Sequence, residues 1–440
     1  MRAWCPPRTL DACRSCSSGN KVECRRGLQA EGVSGMKLPS LFRALSQRSF
    51  ALLWTGQTIS GVGDSVYQVA LVWWVVVHTG SALAMGTVLL CEQVPALTLL
   101  LLGGVIVDRF PRAWLMILSD LARGALVSAL ALLSMTNSLV IWHIYVVSLA
   151  FGVVGAFFSP AYRAVVPELA APDLLPSANS LTTLSQQATG ILGPSLGAVI
   201  VAVGGSSVAF AVDTASFFLS AACLILVLTP ASRSQHGKSR RSLLGEAREG
   251  LSYVVGTPWL GITIGIAGLS NLTYFPAMVA LPFLVKHELH ANVGLLGLYY
   301  SALALGAMLG AAWLGRYSAI RRRGLRLYVA WMLSGVALSL IGLVLTPVVF
   351  LLAAMAIGGA NAVMSLIWLN TIQEQVPHDL QGRVYSIDYL GSALLGPGGY
   401  LLGGWVTPLL GPALVFLVGG ALQTGLIGLG LLHPKVRRLD

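Results

Sequence analysis

Apolar runs of about 20 residues or more, each long enough for a helix to cross the hydrocarbon core of a bilayer, recur along this 440-residue chain and leave little room for anything else. Twelve can be delimited: residues 51–77, 82–107, 114–134, 139–160, 178–203, 206–228, 258–283, 292–315, 325–345, 348–370, 384–406 and 411–432. A soluble core explains a few such runs, but not a sequence made mostly of them. Only 10% of the residues are charged, against roughly 25% in soluble domains. Lipid offers no hydrogen-bond partners, so each run must satisfy its own backbone as a helix. The expected fold class is an all-α polytopic membrane protein with twelve transmembrane helices.

Charge sets the orientation. All but Lys286 and Arg123 of the 28 Lys and Arg residues fall in the two ends, in the turns near 108–113, 161–177, 229–257, 316–324 and 371–383, or in their flanks. These stretches alternate with turns almost free of cations, so the positive-inside rule puts them, and both termini, in the cytoplasm. The expected location is the cell membrane, multi-pass. The net charge of +11 then belongs to that rule and to anionic lipid headgroups, not to nucleic acid.

Residues 1–40 read as a cytoplasmic tail, disordered or arising from a start placed too early. Met36 opens MKLPSLFRALSQRSF, an ordinary basic run-in to a first membrane helix. Cys5, Cys13, Cys16 and Cys24 include one CxxC, but the outer spacings are long and no metal site is read from them. Residues 41–228 form a first group of six spans, 229–257 a cytoplasmic linker with a short amphipathic helix, 258–434 a second group of six, and 435–440 a cytoplasmic end. The two groups share a faint repeat. VPELAAPDLLPSANSL precedes GPSLG at 193–197, and VPHDLQGRVYSIDYL precedes GPGGY at 396–400. Two pseudo-symmetric six-helix bundles with a path between them is a transporter architecture.

Inside the spans, polar residues are few. Gln57, Ser60, Asp64 and Gln68 are spaced three, four and four apart, which paints one helical face. Lipid makes such a face costly, so it should look into a watery cavity or another helix. Asp64 can carry a proton there, or serve as a fixed hydrogen-bonding group. Glu92 is a second mid-membrane acid, either proton carrier or partner for a cationic cargo. Asp213 has Thr214 and Ser216 beside it, and a structural role comes first for it. Asp120 and Arg123, three residues apart, can pair locally or face the protein interior. No Lys or Arg is read at the middle of any span, which favours a neutral or cationic, largely apolar cargo over an anionic one.

The turn GGVIVDRFPRA at 103–113 then carries a resemblance. It is similar to the signature between the second and third helices of the major facilitator superfamily, with Gly104, Asp108, Arg109 and Arg112 matching, Pro111 in place of a second Gly, and Ala113 in place of a last basic residue. The likeness extends over 41–434 through GQTISGVGDSVYQVAL, SDLARG and DTASFFLSA, and is nearest to the drug-exporter branch with macrolide-efflux and enterobactin-exporter proteins. The resemblance implies the major facilitator fold and a cytoplasmic gate built around Asp108, with Gly104, Arg109, Arg112, Asp120 and Arg123 on one side and Arg383 and Asp388 as partners across it. It also implies an antiporter-like motif at Gly190, Gly193, Pro194 and Gly197, echoed by Gly396 and Pro397. The plain alternatives are topology marking for Arg109 and Arg112, and a packing seam for the glycines.

The expected function is proton-coupled export of amphipathic or hydrophobic small molecules, such as drugs or macrolides, by alternating access. Import or export of another solute, such as a siderophore or metabolite, is the first alternative. A membrane sensor or scaffold is the second, though a scaffold has no need of mid-span acids. No P-loop or HExxH occurs, so the chain is not read as an enzyme and is expected to need no cofactor. The expected partners are a small-molecule cargo, protons and the lipid bilayer, and the chain is expected to work as a monomer.

Overall fold

A computed structural model of the chain describes residues 40–99, 110–227, 243–317, 321–437 and 439. The described residues from Leu41 onward form one compact unit. The tail, the whole stretch 104–109 and the start of the linker lie outside the described residues.

The described residues of this unit form helices joined by short connections. After a short 3₁₀ turn at Ser40–Ser46 come α1 (Arg48–Thr79), α2 (Ala82–Thr98), α3 (Arg112–Met135), α4 (Ile141–Leu169) and α5 (Leu175–Val227). A linker helix, α6 (Leu243–Gly256), leads to α7 (Pro258–Phe283), α8 (Val293–Leu314), α9 (Arg323–Leu343), α10 (Pro347–Gln375), α11 (His378–Ala393), α12 (Gly396–Leu410), α13 (Pro412–Leu431) and a last turn, α14 (Pro434–Arg437). The helix boundaries follow local chemistry. Ser81 and Asn292 accept from backbone N–H groups at their helix starts, and Pro258, Pro347 and Pro412 occupy first helical positions, where a missing N–H costs nothing.

Among the described residues, nine helices are long and apolar enough to cross a bilayer. The twelve apolar runs differ from that count for physical reasons. The 53-residue α5 holds two runs in one element, broken only at Gly205, whose φ of 73° a residue with a side chain rarely adopts. The described part of α2 is 17 residues. The run 384–406 is divided, because α11 ends at Ala393 and Gly396-Pro397 starts a new helix.

Packing repeats along the chain. In the first group, α1 packs against α5, α2 against α4, α3 against the second arm of α5, and α3 against α4. In the second group, α7 packs against α12 and α13, α8 against α10, α9 against α13, and α9 against α10. Helices in lipid gain little from hydrophobic burial and associate by close van der Waals fit, so small residues mark the seams. The cores show how the groups join. One large buried cluster combines α1, α2 and α5 residues such as Val72, Met85 and Phe210 with Leu281, Tyr299 and Phe350 of the second group, at the end remote from the termini. At the near end the buried clusters are separate: Phe50, Met116 and Val165 in the first group, Tyr328 and Ile367 or Leu260 and Val384 in the second. Large apolar side chains such as Leu118, Val203 and Trp405 are exposed on the outside of the bundle, as a lipid-facing surface requires.

Candidate functional site

The polar face of α1 enters the first group between the two arms of α5. Gly63 makes this possible: a Cβ there would lie 2.1 Å from Ser216 Oγ and 2.6 Å from Asp213 Oδ1. A hydrogen-bonded relay crosses three helices. Gln57 Nε2 donates to Ser220 Oγ at 2.9 Å, and Ser220 Oγ donates to Asp120 Oδ2 at 2.7 Å. Asp120 is fully buried, and its other oxygen has no partner. Asp213 is also fully buried. Its Oδ1 lies 3.2 Å from Ser216 Oγ, whose single proton is shared with the Asp213 carbonyl at 2.8 Å. Thr214 donates to the Phe210 carbonyl instead. Of the remaining polar face, Ser60 is buried and Gln68 exposed.

Arg123 corrects the expectation that no cation sits mid-span. It lies midway along α3, is 9% exposed, and its guanidinium carbon is 4.5 Å from the ring centre of Phe158, 5.8 Å from that of Phe151 and 5.9 Å from that of Phe217. Such stacking replaces part of the lost hydration of a cation. Among the described residues it forms no ion pair within 4 Å, and Asp120 bonds to Ser220 instead of to it. Its charge nevertheless acts on Asp64, Glu92, Asp120 and Asp213. One guanidinium therefore sits among four carboxyl groups. Tyr67 completes the cluster, stacked on Phe151 at 5.0 Å with its hydroxyl buried and unpartnered in the field of Asp64, Glu92 and Asp213.

The four acids are not equivalent. Asp64 is half-buried and Glu92 exposed, whereas Asp120 and Asp213 are sealed. Glu92 is fixed on α2 where that helix meets α4, so closely that a Cβ at Gly152 would lie 2.1 Å from the Glu92 carbonyl oxygen. Its carboxylate also acts on Tyr400, a residue of the second group.

Two cavities accompany this cluster at equivalent places in the packing pattern. One, of about 410 Å³, lies between α1, α4 and the first arm of α5, with Gln57, Ser65, Tyr162, Arg163, Gln186 and Thr189 on its wall. The other, of about 330 Å³, lies among α7, α9, α10, α11 and α13, and Asn271, Tyr274, Trp331, Trp368, Asp388 and Gln423 face it. Each has a tryptophan fixed across its wall. Trp54 Nε1 donates to Ser185 Oγ at 2.7 Å, and Trp368 Nε1 to Asp388 Oδ2 at 3.0 Å.

The residues assigned to a gate are dispersed. Gly104, Asp108 and Arg109 lie outside the described residues. Arg112, at the start of α3, pairs with Glu168 at the end of α4 and donates to the Ala164 carbonyl at 3.1 Å. Arg323 and Glu374 make the matching pair between α9 and α10, at 2.6 Å, which the sequence reading did not single out. Arg383 pairs with Glu249 of the linker helix at 2.7 Å, and Asp388 faces its cavity. The glycine motif lies along α1: Cβ atoms at Gly193 and Gly197 would lie 2.5 Å from Ser65 Cβ and 2.9 Å from Val66 Cα, while Gly190 has ordinary room. Gly396 packs on Phe275, and Pro397 sits in the first turn of α12.

The contacts described between the two groups lie toward the remote end. A Cβ at Gly86 of α2 would meet the Tyr400 carbonyl at 2.4 Å, and one at Gly297 of α8 the Pro194 carbonyl at 2.6 Å. Ser195 Oγ and Ser301 Oγ are 2.7 Å apart, and Lys286 Nζ donates to the Val76 carbonyl at 3.2 Å.

A multi-pass helical bundle with a polar interior, paired cavities and a seam at one end defines a membrane transporter. The model of the family described as transmembrane secretion effector matches residues 39–432. The chain belongs to this family and is a transporter of the major facilitator superfamily, a class without catalytic chemistry. It is similar to macrolide efflux protein A of Streptococcus pyogenes, with 22% identity over 89% of this chain and 97% of that one. Enterobactin exporter EntS of Citrobacter koseri is 27% identical over 78% of this chain and 79% of that one. Among solved structures, a bacterial homologue of the iron transporter ferroportin in an inward-facing state superposes with a TM-score of 0.63 and 18% identity, over 88% of this chain and 99% of that one. The protein is thus a secondary transporter that moves small molecules across a lipid bilayer by alternating access.

Proposed function

We propose that the chain exports amphipathic or hydrophobic small molecules in exchange for protons, with Asp64 as the proton carrier. The observation that carries this reading is the half-buried Asp64 carboxylate, without a hydrogen bond among the described residues, in the same electrostatic cluster as buried Arg123 and sealed Asp120 and Asp213. Four carboxyl groups around one cation leave surplus negative charge unless protons are bound. Asp64 and Glu92 are the two that are not sealed in the protein, and Asp64 belongs to the helix that both arms of α5 grip.

The proposed frame is a twelve-helix, two-bundle carrier. The two arms of α5 count as separate spans, α2 continues as one, and α11 with α12 makes another. Positive-inside orientation would place the separate cores on the cytoplasmic side, so this state would be open inward. Asp108 and Arg109, with Arg112, would close that side in the opposite state, and the tail before Met36 would be dispensable.

The test is cargo-induced proton movement in proteoliposomes across pH 5.5 to 8.5. Asp64→Asn should retain cargo binding and lose proton-driven accumulation, while Glu92→Gln keeps coupling. Full coupling with Asn at position 64 would remove Asp64 from the mechanism. Loss in neither variant would mean another ion, or none.

A further inference from the structure

The two equivalent cavities differ in the charge of their walls. Among the described residues, Arg163 is the one charged residue on the wall of the first, and Asp388 the one on the wall of the second. The second is also richer in tryptophan. Trp368 is held at two points, by its hydrogen bond to Asp388 at 3.0 Å and by an edge-on contact with Trp259 at 5.8 Å, and Trp331 is packed edge-on against Tyr328. Side chains fixed in this way lose little freedom when a ligand arrives.

Two further wall residues point to an occupant. Gln423 is 3% exposed with Oε1 unpartnered, and Ser270 is 2% exposed with Oγ unpartnered. Buried polar groups are rarely left unpaired without a ligand or water to complete them. Indole faces, one carboxylate and an unmet acceptor, with no basic residue on the wall, suit a cation with a flat apolar body. An anion would be repelled by Asp388. The volume of about 330 Å³ is within the range of small-molecule sites.

We infer that this cavity is a binding site for organic cations, with Asp388 as counter-charge and Trp331 and Trp368 as its aromatic walls. The inference rests on reading the chain as a small-molecule carrier, and its test measures binding without transport. Ethidium fluorescence on the purified full-length protein in lipid nanodiscs should saturate, and Asp388→Asn should weaken ethidium by about tenfold or more while leaving binding of the neutral dye Nile red unchanged. Ethidium binding by Asp388→Asn at wild-type affinity would overturn the assignment, and so would equal loss of both dyes. Should that variant not fold, ethidium monoazide photolabelling of the wild-type protein decides. Labels on the peptides carrying Trp331, Trp368 or Asp388 support the site, and labels confined to the first group of helices refute it. Ethidium binding that depends on Asp388, without proton-coupled transport, would sink the exporter reading and leave this site standing.

Discussion

Replacing Gly86 by Ala tests whether the remote seam opens during the cycle. A Cβ at this position would lie 2.4 Å from the Tyr400 carbonyl oxygen and 3.4 Å from Gly404 Cα. Ordinary carbon contacts begin near 3.5 Å, so the methyl group requires about 1 Å of separation between α2 and α12. The opposing atom is backbone and cannot rotate away. Overpacking of this kind costs about 1–3 kcal/mol. Because the clash is between the two groups of helices, it is felt only while this end is shut, and the equilibrium should shift about 5- to 150-fold toward the state in which it is parted. Spin labels at Ser138 and Leu345, both exposed near the remote end, would report the change by pulsed electron resonance as a new, longer distance. Gly425→Ala is the control, since a Cβ there meets nothing within 4 Å. A Gly86→Ala distribution identical to wild type in folded protein would refute the reasoning, showing that the seam adjusts in place and does not gate.

Two further substitutions probe the buried cluster. Ser220→Ala removes the donor to Asp120 Oδ2 and leaves a fully buried carboxylate unbonded, at a cost of about 1–3 kcal/mol; an unchanged melting temperature would show that Asp120 is not held this way. Arg123→Met keeps the bulk and removes the cation, at a cost of up to about 3–5 kcal/mol if the buried acids stay charged. Adding Asp120→Asn should recover part of that loss, and strictly additive losses in the double variant would show that the two groups are uncoupled.

The sequence exposes what is periodic and local, and the structure adds what is assembled. Asp64 is legible because lipid penalises a charge and because its polar neighbours recur at helical spacing on one element. The setting of Arg123 is not legible: Phe151 and Phe158 come from α4 and Phe217 from the second arm of α5, and no spacing along α3 announces them. Asp388 is expected as a gate partner from the family resemblance and its place near the cytoplasmic end of the eleventh span, yet its partner Trp368 belongs to the preceding helix and turns it toward a cavity. Hydropathy counts apolar length but not breaks. It therefore passes over the restart at Gly396-Pro397, whereas the interruption at Gly205 coincides with a gap between two runs.

The distribution of polar groups between seam and interior bears on how such a carrier can move. Inside the first group, sealed Asp120 and Asp213, their donors and Arg123 are knitted across α1, α3, α4 and α5, so shearing those helices apart would strand buried charge at several kcal/mol each. The described contacts at the remote seam are of another kind. Backbone meets glycine at Gly86, Gly297 and Gly404, and the hydrogen bonds run through Lys286 and through Ser301, which donates to the Ile191 carbonyl at 2.5 Å and so accepts from Ser195. Lipid tails and helix surfaces are equally apolar, so parting such a seam exposes little that lipid or water cannot match. The helices of each group are thereby bound more strongly to one another than to the other group. A rigid-body rocking motion is the displacement that this pattern makes cheapest.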